Sequence, residues 1–347
     1  MENLLDFTRD NLAVWLDGKG IRPFRAGQIF KWLYLQQADT FEQMTDLSKE
    51  LRTLLFDHFY INRLALVEKQ VSVDKTEKFL YRLEDGQHIE SVLIPEKDHF
   101  TICVSSQAGC AQDCQFCLTA KGGFIRNLGV SEIVSQVRDA RKYLMQKDID
   151  PLKLSNIVFM GMGEPLVNYK NLVNAINILT DSDFGLKFSE RRVTVSTSGI
   201  VPKITQLGLD TSVNLAVSLN ATTDEKRSRL MPINKKYPLK QVLEACRTFK
   251  MKPRKKITFE YILIKGVNDT KEDALRLVKL LAPIKAKVNL IPFNEYSESN
   301  FKRPSKQDIS DFLQILLDQN LTAIIRKSKG DDILAACGQL KATSVTS

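Results

Sequence analysis

The stretch FTICVSSQAGCAQDCQFC, residues 100–117, runs from an extended segment straight into a loop with three cysteines. Phe100, Ile102 and Val104 alternate with Thr101, Cys103 and Ser105, the period of a β-strand with one apolar face. The apolar face belongs under helices, so Cys103 is expected to point inward, near the loop. Cys110, Cys114 and Cys117 follow with the spacing C-x₃-C-x₂-C. A structural zinc site takes four protein ligands, and most iron–sulfur clusters also take four thiolates. Three thiolates leave one metal position open.

Outward from this segment, extended and helical runs alternate. The further strands are NIVFMG (156–161), RVTVSTS (192–198), VNLAVSL (213–219), KITFEYILI (256–264) and KVNLIPF (287–293). The first helix carries Val130, Ile133, Val134, Val137 and Leu144 on one stripe, with Ser131 as its cap. TTDE (222–225) reads as a capping box opening another helix. Six βα units in series mean a parallel sheet. Six is short of the eight that close a barrel, so an α/β fold with a partial (β/α)6, TIM-like barrel is expected. Its open side needs a cover, from the N-terminal head or the C-terminal tail. Working residues of such barrels lie at the C-terminal strand ends. There stand the cysteine loop, GMGEP (161–165), STSG (196–199), SLNA (218–221) and IPFN (291–294).

Residues 1–60 read as a helical domain. In PFRAGQIFKWLYLQQ, Phe24, Ile29, Trp32 and Leu33 can share one face. Short extended runs within 61–98 read as a β linker, 99–330 as the barrel core, and 331–347 as a C-terminal segment. The start of the chain is acidic and amphipathic, unlike a signal peptide, and no apolar run is long enough for a membrane span. A cytoplasmic protein is expected. The net charge is +9, much of it clustered in KPRKK (252–256), KFSERR (187–192), INKKY (233–237), FKRP (301–304) and RKSKG (326–330). Such clusters fit a polyanion, most often nucleic acid, and equally a solvated surface.

Six cysteines in a cytosolic chain point to metal or redox chemistry rather than a disulfide framework. The three histidines, His58, His88 and His99, are not at metal-ligand spacing with the loop. GMGEP lacks the third glycine and the helix opening of a dinucleotide fingerprint. Gly161 and Gly163 instead suit close approach of backbone to a ligand, and Glu164 can accept from an ammonium group. Cys246 shares an apolar helical stripe with Leu239, Val242 and Leu243 and reads as core. By position alone, Cys103 and Cys337 also read as small buried residues.

C-x₃-C-x₂-C after a first strand closely resembles the loop of the radical S-adenosylmethionine (SAM) superfamily. There three thiolates bind three irons of a 4Fe-4S cluster, and SAM chelates the fourth. Further motifs narrow the resemblance to the radical SAM adenine-C2 methyltransferases of ribosomal RNA and tRNA. They are CVSSQAGCAQDCQFCLTAKGGFIRNL, FMGMGEPL, RRVTVSTSG, SLNA, LMPINKKYP, NLIPFN and RKSKGDDILAACGQL, in order along most of the chain. That family opens with a head of helix-hairpin-helix type, which matches residues 1–60.

The resemblance implies that Cys110, Cys114 and Cys117 hold the cluster. It places Gly163, Glu164, Ser196, Ser218, Leu219, Asn220 and Asn294 at the SAM contacts, with Asn220 where relatives commonly have histidine. It makes Cys337 the methylated cysteine, Cys103 a second catalytic cysteine and Glu90 a proton acceptor. The implied cycle spends two SAM molecules. One methylates Cys337, and a radical made from the second takes hydrogen from that methyl group. The resulting carbon radical adds to adenine carbon 2, and a Cys103–Cys337 disulfide then releases the product. Arg326, Lys327 and Lys329 are candidates to promote the Cys337 thiolate. The implied partners are 23S rRNA near the peptidyl-transferase centre, tRNA beside the anticodon, and a flavodoxin or ferredoxin as electron donor. A monomer without membrane contact is expected. A sister group that methylates carbon 8 differs at the positions of Pro165 and Ser198. A glycyl-radical activase would need neither Cys103 nor Cys337, and a non-catalytic iron–sulfur RNA-binding protein would not cleave SAM.

Overall fold

The computed structural model describes residues 1–342. Ten strands form its main sheet, in strict sequence order from one edge to the other. The first three, β1 (Ala65–Val71), β2 (Glu77–Arg82) and β3 (His88–Pro95), are antiparallel. β3 then pairs antiparallel with β4 (Phe100–Cys103). From β4 onward the strands are parallel: β5 (Leu154–Phe159), β6 (Val193–Thr197), β7 (Asn214–Ser218), β8 (Ile257–Leu263), β9 (Ala286–Pro292) and β10 (Ala323–Ile325). The order has two ends, so the barrel stays open. Between the parallel strands run α4 (Val130–Gln146), α5 (Tyr169–Thr180), α6 (Val201–Asp210), α7 (Asp224–Leu230), α8 (Leu239–Arg247), α9 (Lys271–Leu281) and α10 (Lys306–Asp318), after the head helices α1 (Arg9–Asp17), α2 (Arg25–Phe30) and α3 (Lys49–His58).

All six expected parallel strands are present. β8 is buried at every position, the pattern of a strand covered on both faces. The structure adds a seventh, β10. It is only three residues long, Ala-Ile-Ile, and two of them are exposed, too short a run to show a strand period. The 61–98 segment is also more than a connector, because its three strands continue the core sheet.

The head is stapled to the barrel. Within the head, Glu2–Asn3 pair with Phe59–Tyr60. Asp6 of the head accepts a hydrogen bond from Ser131 N at 2.8 Å, and Glu132 accepts from Gly129 N at 2.8 Å. These two carboxylates, rather than the Ser131 hydroxyl, satisfy the N-terminus of α4. At the expected TTDE box, Thr223 Oγ1 accepts from Lys226 N at 3.3 Å as a simple cap. Ile29 and Leu33 are fully buried, but Phe24 is 57% exposed and falls off their face. It precedes α2, and the helix widens over Lys31–Leu35, which breaks the assumed regular period.

The C-terminal segment crosses the open side as a strap. Arg326 N donates to Leu290 O on β9. Asp332 accepts from Ser72 Oγ and Val73 N near the sheet's far edge. The strap then returns to the cysteine loop, where Leu118 N donates to Gly338 O at 2.7 Å and Thr119 Oγ1 to Leu340 O at 2.6 Å. Residues 343–347, part of the expected 331–347 segment, lie outside the described residues.

Candidate active site

A cavity opens where the parallel strands end. Cys110, Cys114 and Cys117 form one wall. Gly161, Gly163 and Glu164 follow β5, Ser196 to Ser198 end β6, and Ser218 ends β7. Glu260 and Ile262 on β8, Ile291 on β9, Arg326 and Cys337 complete it. The loop is anchored by Cys110 N to Gly123 O at 2.7 Å and Gln115 N to Leu230 O at 2.9 Å. Ser198 Oγ reaches Gln112 Oε1 at 3.3 Å, tying it to the end of β6.

All six cysteines are free thiols. Burial pushes the Cys110 thiol up to about 12 and raises Cys114 and Cys117; Cys117 adds to the rise at Cys110 and Cys114, and Cys337 to that at Cys117. A bound metal cluster reverses this balance, since coordination holds thiolates ionised. Among the described residues, no three His, Cys, Asp or Glu side chains converge to hold a single metal ion. A cluster makes no such demand, because each thiolate binds a different iron. The described lining of the cavity offers the three loop thiolates and no histidine, a donor set that suits a cluster with one open iron.

Glu164 is buried at 3% exposure, and burial raises its pKa. Its carboxylate accepts from Ser198 N at 2.6 Å and Leu166 N at 3.0 Å, which leaves acceptor capacity toward the cavity. Gly163 has φ +99°, and a Cβ there would lie 2.5 Å from Gln107 Cβ. At Gly161 a Cβ would lie 2.7 Å from Val104 O. These glycines serve close packing on the segment after β4, not only approach to a ligand. Gln107 completes that packing by accepting from Glu164 N at 2.8 Å.

Cys337 also lines a second, narrower cavity, which it shares with Cys103, Met160, Asn294, Arg326, Lys327 and Lys329. Cys103 pairs in register with Val92 on one side and Val158 on the other, and it points inward as its alternation requires. Burial pushes its thiol up to about 12, a rise that Cys337 adds to and Arg326 offsets. Arg326 donates to Met160 Sδ at 3.4 Å and faces both cavities.

Several expected contacts fall elsewhere. Leu219 and Asn220 are fully buried beside the cavity rather than in its lining. Asn220 Oδ1 accepts from Ile262 N at 2.8 Å and its Nδ2 reaches Met231 Sδ, so the side chain secures the ends of β7 and β8. Asn294 donates to Cys337 O at 3.2 Å and accepts from Ser328 Oγ, which fixes the strap around Cys337. Glu90 opens on a different cavity, behind residues 339–341. Lys78 Nζ lies 3.1 Å from its Oε1, and Lys341 N donates to Oε2 at 2.9 Å. Burial still raises its pKa. Cys246 is core, as expected.

Sequence reasoning missed two buried charges. Arg227 donates to Leu219 O, Ser198 O, Ser218 O and Asn234 Oδ1, clamping the ends of β6 and β7. It lies within the charged run DEKRSRL and gives no sequence signal. Glu260 had one: it is the single charge inside an otherwise apolar or uncharged strand, ITFEYIL.

Residues 2–61 match the ribosomal RNA large subunit methyltransferase N-terminal domain, and residues 104–278 match the radical SAM superfamily. A dual-specificity RNA methyltransferase RlmN from Desulfosudis oleivorans is 57% identical, over 98% of this chain and 91% of its own length. The protein of the same name from Geobacter sulfurreducens is 52% identical, over 98% and 93%. The crystal structure of a radical SAM methyltransferase from Sphaerobacter thermophilus superposes with a TM-score of 0.91 at 42% identity, covering 99% of this chain and all of that one.

Proposed function

The chain belongs to the RlmN family of dual-specificity RNA methyltransferases, radical SAM enzymes, and we propose that the site just described methylates adenine carbon 2 through a methyl group carried on Cys337. The protein is a SAM-dependent RNA methyltransferase. Its substrates in this reading are 23S rRNA near the peptidyl-transferase centre and the tRNA adenine 3′ of the anticodon. The observation that carries the reading is the position of Cys337. It lines the cavity of the three loop cysteines and, on its other side, the slot of Cys103.

Cys110, Cys114 and Cys117 hold a 4Fe-4S cluster, and Gly163, Glu164, Ser196 and Ser218 line the place for SAM. When bound, cluster and SAM supply one-electron cleavage of the sulfonium to a 5′-deoxyadenosyl radical. The chain's own part follows from the two thiols. Cys337 Sγ accepts a methyl group, with Arg326 lining the same cavity. After hydrogen is lost from that methyl, the carbon bonds to adenine carbon 2 and tethers the RNA to Cys337. The adduct, still a radical, gives up one electron to the redox partner that supplied the first, and its ring proton goes to a base. Cys103 shares the slot with Cys337, whereas Glu90 stands behind the strap, so Cys103 is the nearer candidate. Its own proton must leave first, which burial opposes and Arg326 favours. Cys103 Sγ then bonds to Cys337 Sγ. The carbon–sulfur bond breaks with its electron pair left on the carbon, which takes up a proton to become the methyl group, and the two sulfurs end as a disulfide that an external reductant reopens.

Two SAM molecules per turnover, a flavodoxin or ferredoxin donor, a monomeric state and a cytoplasmic site of action complete the reading. No helix among the described residues is long and apolar enough to cross a membrane. The test is anaerobic turnover with reconstituted cluster, SAM and a one-electron reductant. An rRNA fragment and a tRNA are offered separately, and nucleosides are identified by mass spectrometry. 2-Methyladenosine is expected in both. 8-Methyladenosine would assign the chain to the other carbon, and SAM cleavage without methylated adenosine would refute the substrate.

A further inference from the structure

One buried carboxylate in the cavity has no part in this cycle. Glu260 lies in the middle of β8, 5% exposed, and lines the cavity with the loop cysteines, Ser196, Ser218 and Cys337. Its Oε1 accepts from Asn289 Nδ2 on β9 at 3.0 Å. Its Oε2 is buried with no hydrogen-bond partner. Arg326 offsets part of the cost through its charge, but burial still raises the Glu260 pKa. Interiors seldom keep an acceptor without a donor, and where one is kept inside a binding cavity a ligand is the natural source.

The surroundings indicate what kind of ligand. Glu260 pairs in register with Ser218 on β7, and Ser196 stands on β6 beside them. These three polar groups face a cavity whose other walls include Phe159, Ile262 and Ile291. A flat apolar ring with hydroxyl or amine donors at its edge matches that surface. We propose that Glu260 is a nucleoside-binding residue, whose Oε2 accepts a hydrogen bond from a ribose hydroxyl or exocyclic amine of the nucleoside in the cavity. The donor can belong to SAM or to the target adenosine. The proposal rests on the functional reading above.

The test compares wild-type holoenzyme with Glu260→Gln and Glu260→Asp. Gln keeps the size and the acceptor for Asn289, but removes the charge. Asp keeps the charge and withdraws it from the ligand. SAM affinity is measured by equilibrium dialysis, and RNA methylation is measured at saturating SAM. A hydrogen bond to a charged group implies a loss of roughly 10- to 100-fold. If the donor is on SAM, both variants bind SAM more weakly by that factor. If it is on the target adenosine, SAM affinity holds while kcat/KM for RNA falls by that factor. Either result supports the proposal and names the source. Wild-type SAM affinity and RNA turnover in both variants, within about twofold, overturn it. So does a drop in Tm with no change in either measurement. Failure of the wild-type holoenzyme to bind SAM would overturn the functional reading itself.

Discussion

Gly163→Ala tests the packing of the rim most directly. The residue has φ +99°, and forcing a side chain into that conformation costs about 1–3 kcal/mol. The new Cβ also meets Gln107 Cβ at 2.5 Å and Gln107 N at 2.8 Å. Restoring normal contact requires a shift of about 1 Å, and such overpacking costs about 1–3 kcal/mol more. Gln107 cannot yield freely, since its N donates to Met162 O and its side chain to Asn127 Oδ1. The expected loss is therefore about 2–6 kcal/mol, read as a lower urea midpoint at unchanged slope. Two controls separate the causes. Gly86 has φ +83° with nothing within 4 Å of an added Cβ, so Gly86→Ala carries the conformational cost alone. Gly161→Ala carries only a clash, 2.7 Å from Val104 O. Because Gln107 also holds Glu164 N, the shift should reach the proposed SAM site. A displacement of about 1 Å there lowers 5′-deoxyadenosine formation by roughly 100-fold. If Gly163→Ala unfolds with Gly86→Ala and keeps its activity, the packing argument is wrong.

In cluster-loaded protein at neutral pH, iodoacetamide should label half-buried Cys337 well before Cys103, as peptide mass spectrometry would show. Cys103 labelling should rise only toward its raised value of about 12. The fold favours the thiol, so this group's contribution to stability is lost as pH rises from the ordinary 9.0 through about 12. Equal labelling at neutral pH would contradict the burial. Cys103→Ala should stall with RNA attached to Cys337, seen as a gel shift that ribonuclease removes and a thiol reductant does not; completed turnover by this variant would deny Cys103 its releasing role. RNA affinity should fall with salt at a log–log slope of roughly −0.7 per phosphate contacted, and a flat response would remove the electrostatic part of recognition.

What the sequence made legible was local. Cysteine spacing lies within one loop, and strand alternation within one strand, so Cys110, Cys114, Cys117 and the inward aim of Cys103 could be read directly. The parallel core followed from its repeated strand–helix rhythm. What depended on pairing between distant segments was hidden. β10 is short and mostly exposed, and β1–β3 show no sign in themselves that they extend the core sheet. Asn220 and Asn294 carry the right chemistry for SAM contacts, but their partners, Ile262 N and Cys337 O, are set by packing. Glu90 likewise looked free until Lys78 and the strap appeared around it.

The strap also gives the enzyme an order of assembly. Every strand of the main sheet and the cysteine loop are encoded before Cys337. A ribosome therefore releases the barrel first and Cys337, the proposed methyl carrier, afterward. The bonds that seat the strap around Cys337, Leu118 N to Gly338 O and Thr119 Oγ1 to Leu340 O, join residues more than two hundred positions apart. A chain broken off ahead of the strap would keep the cluster ligands but have no thiol to receive the methyl group. Loss of Cys337 with the strap would disarm RNA methylation while sparing the parts that generate a radical, so damaged copies of the protein would be the ones to test for futile SAM consumption.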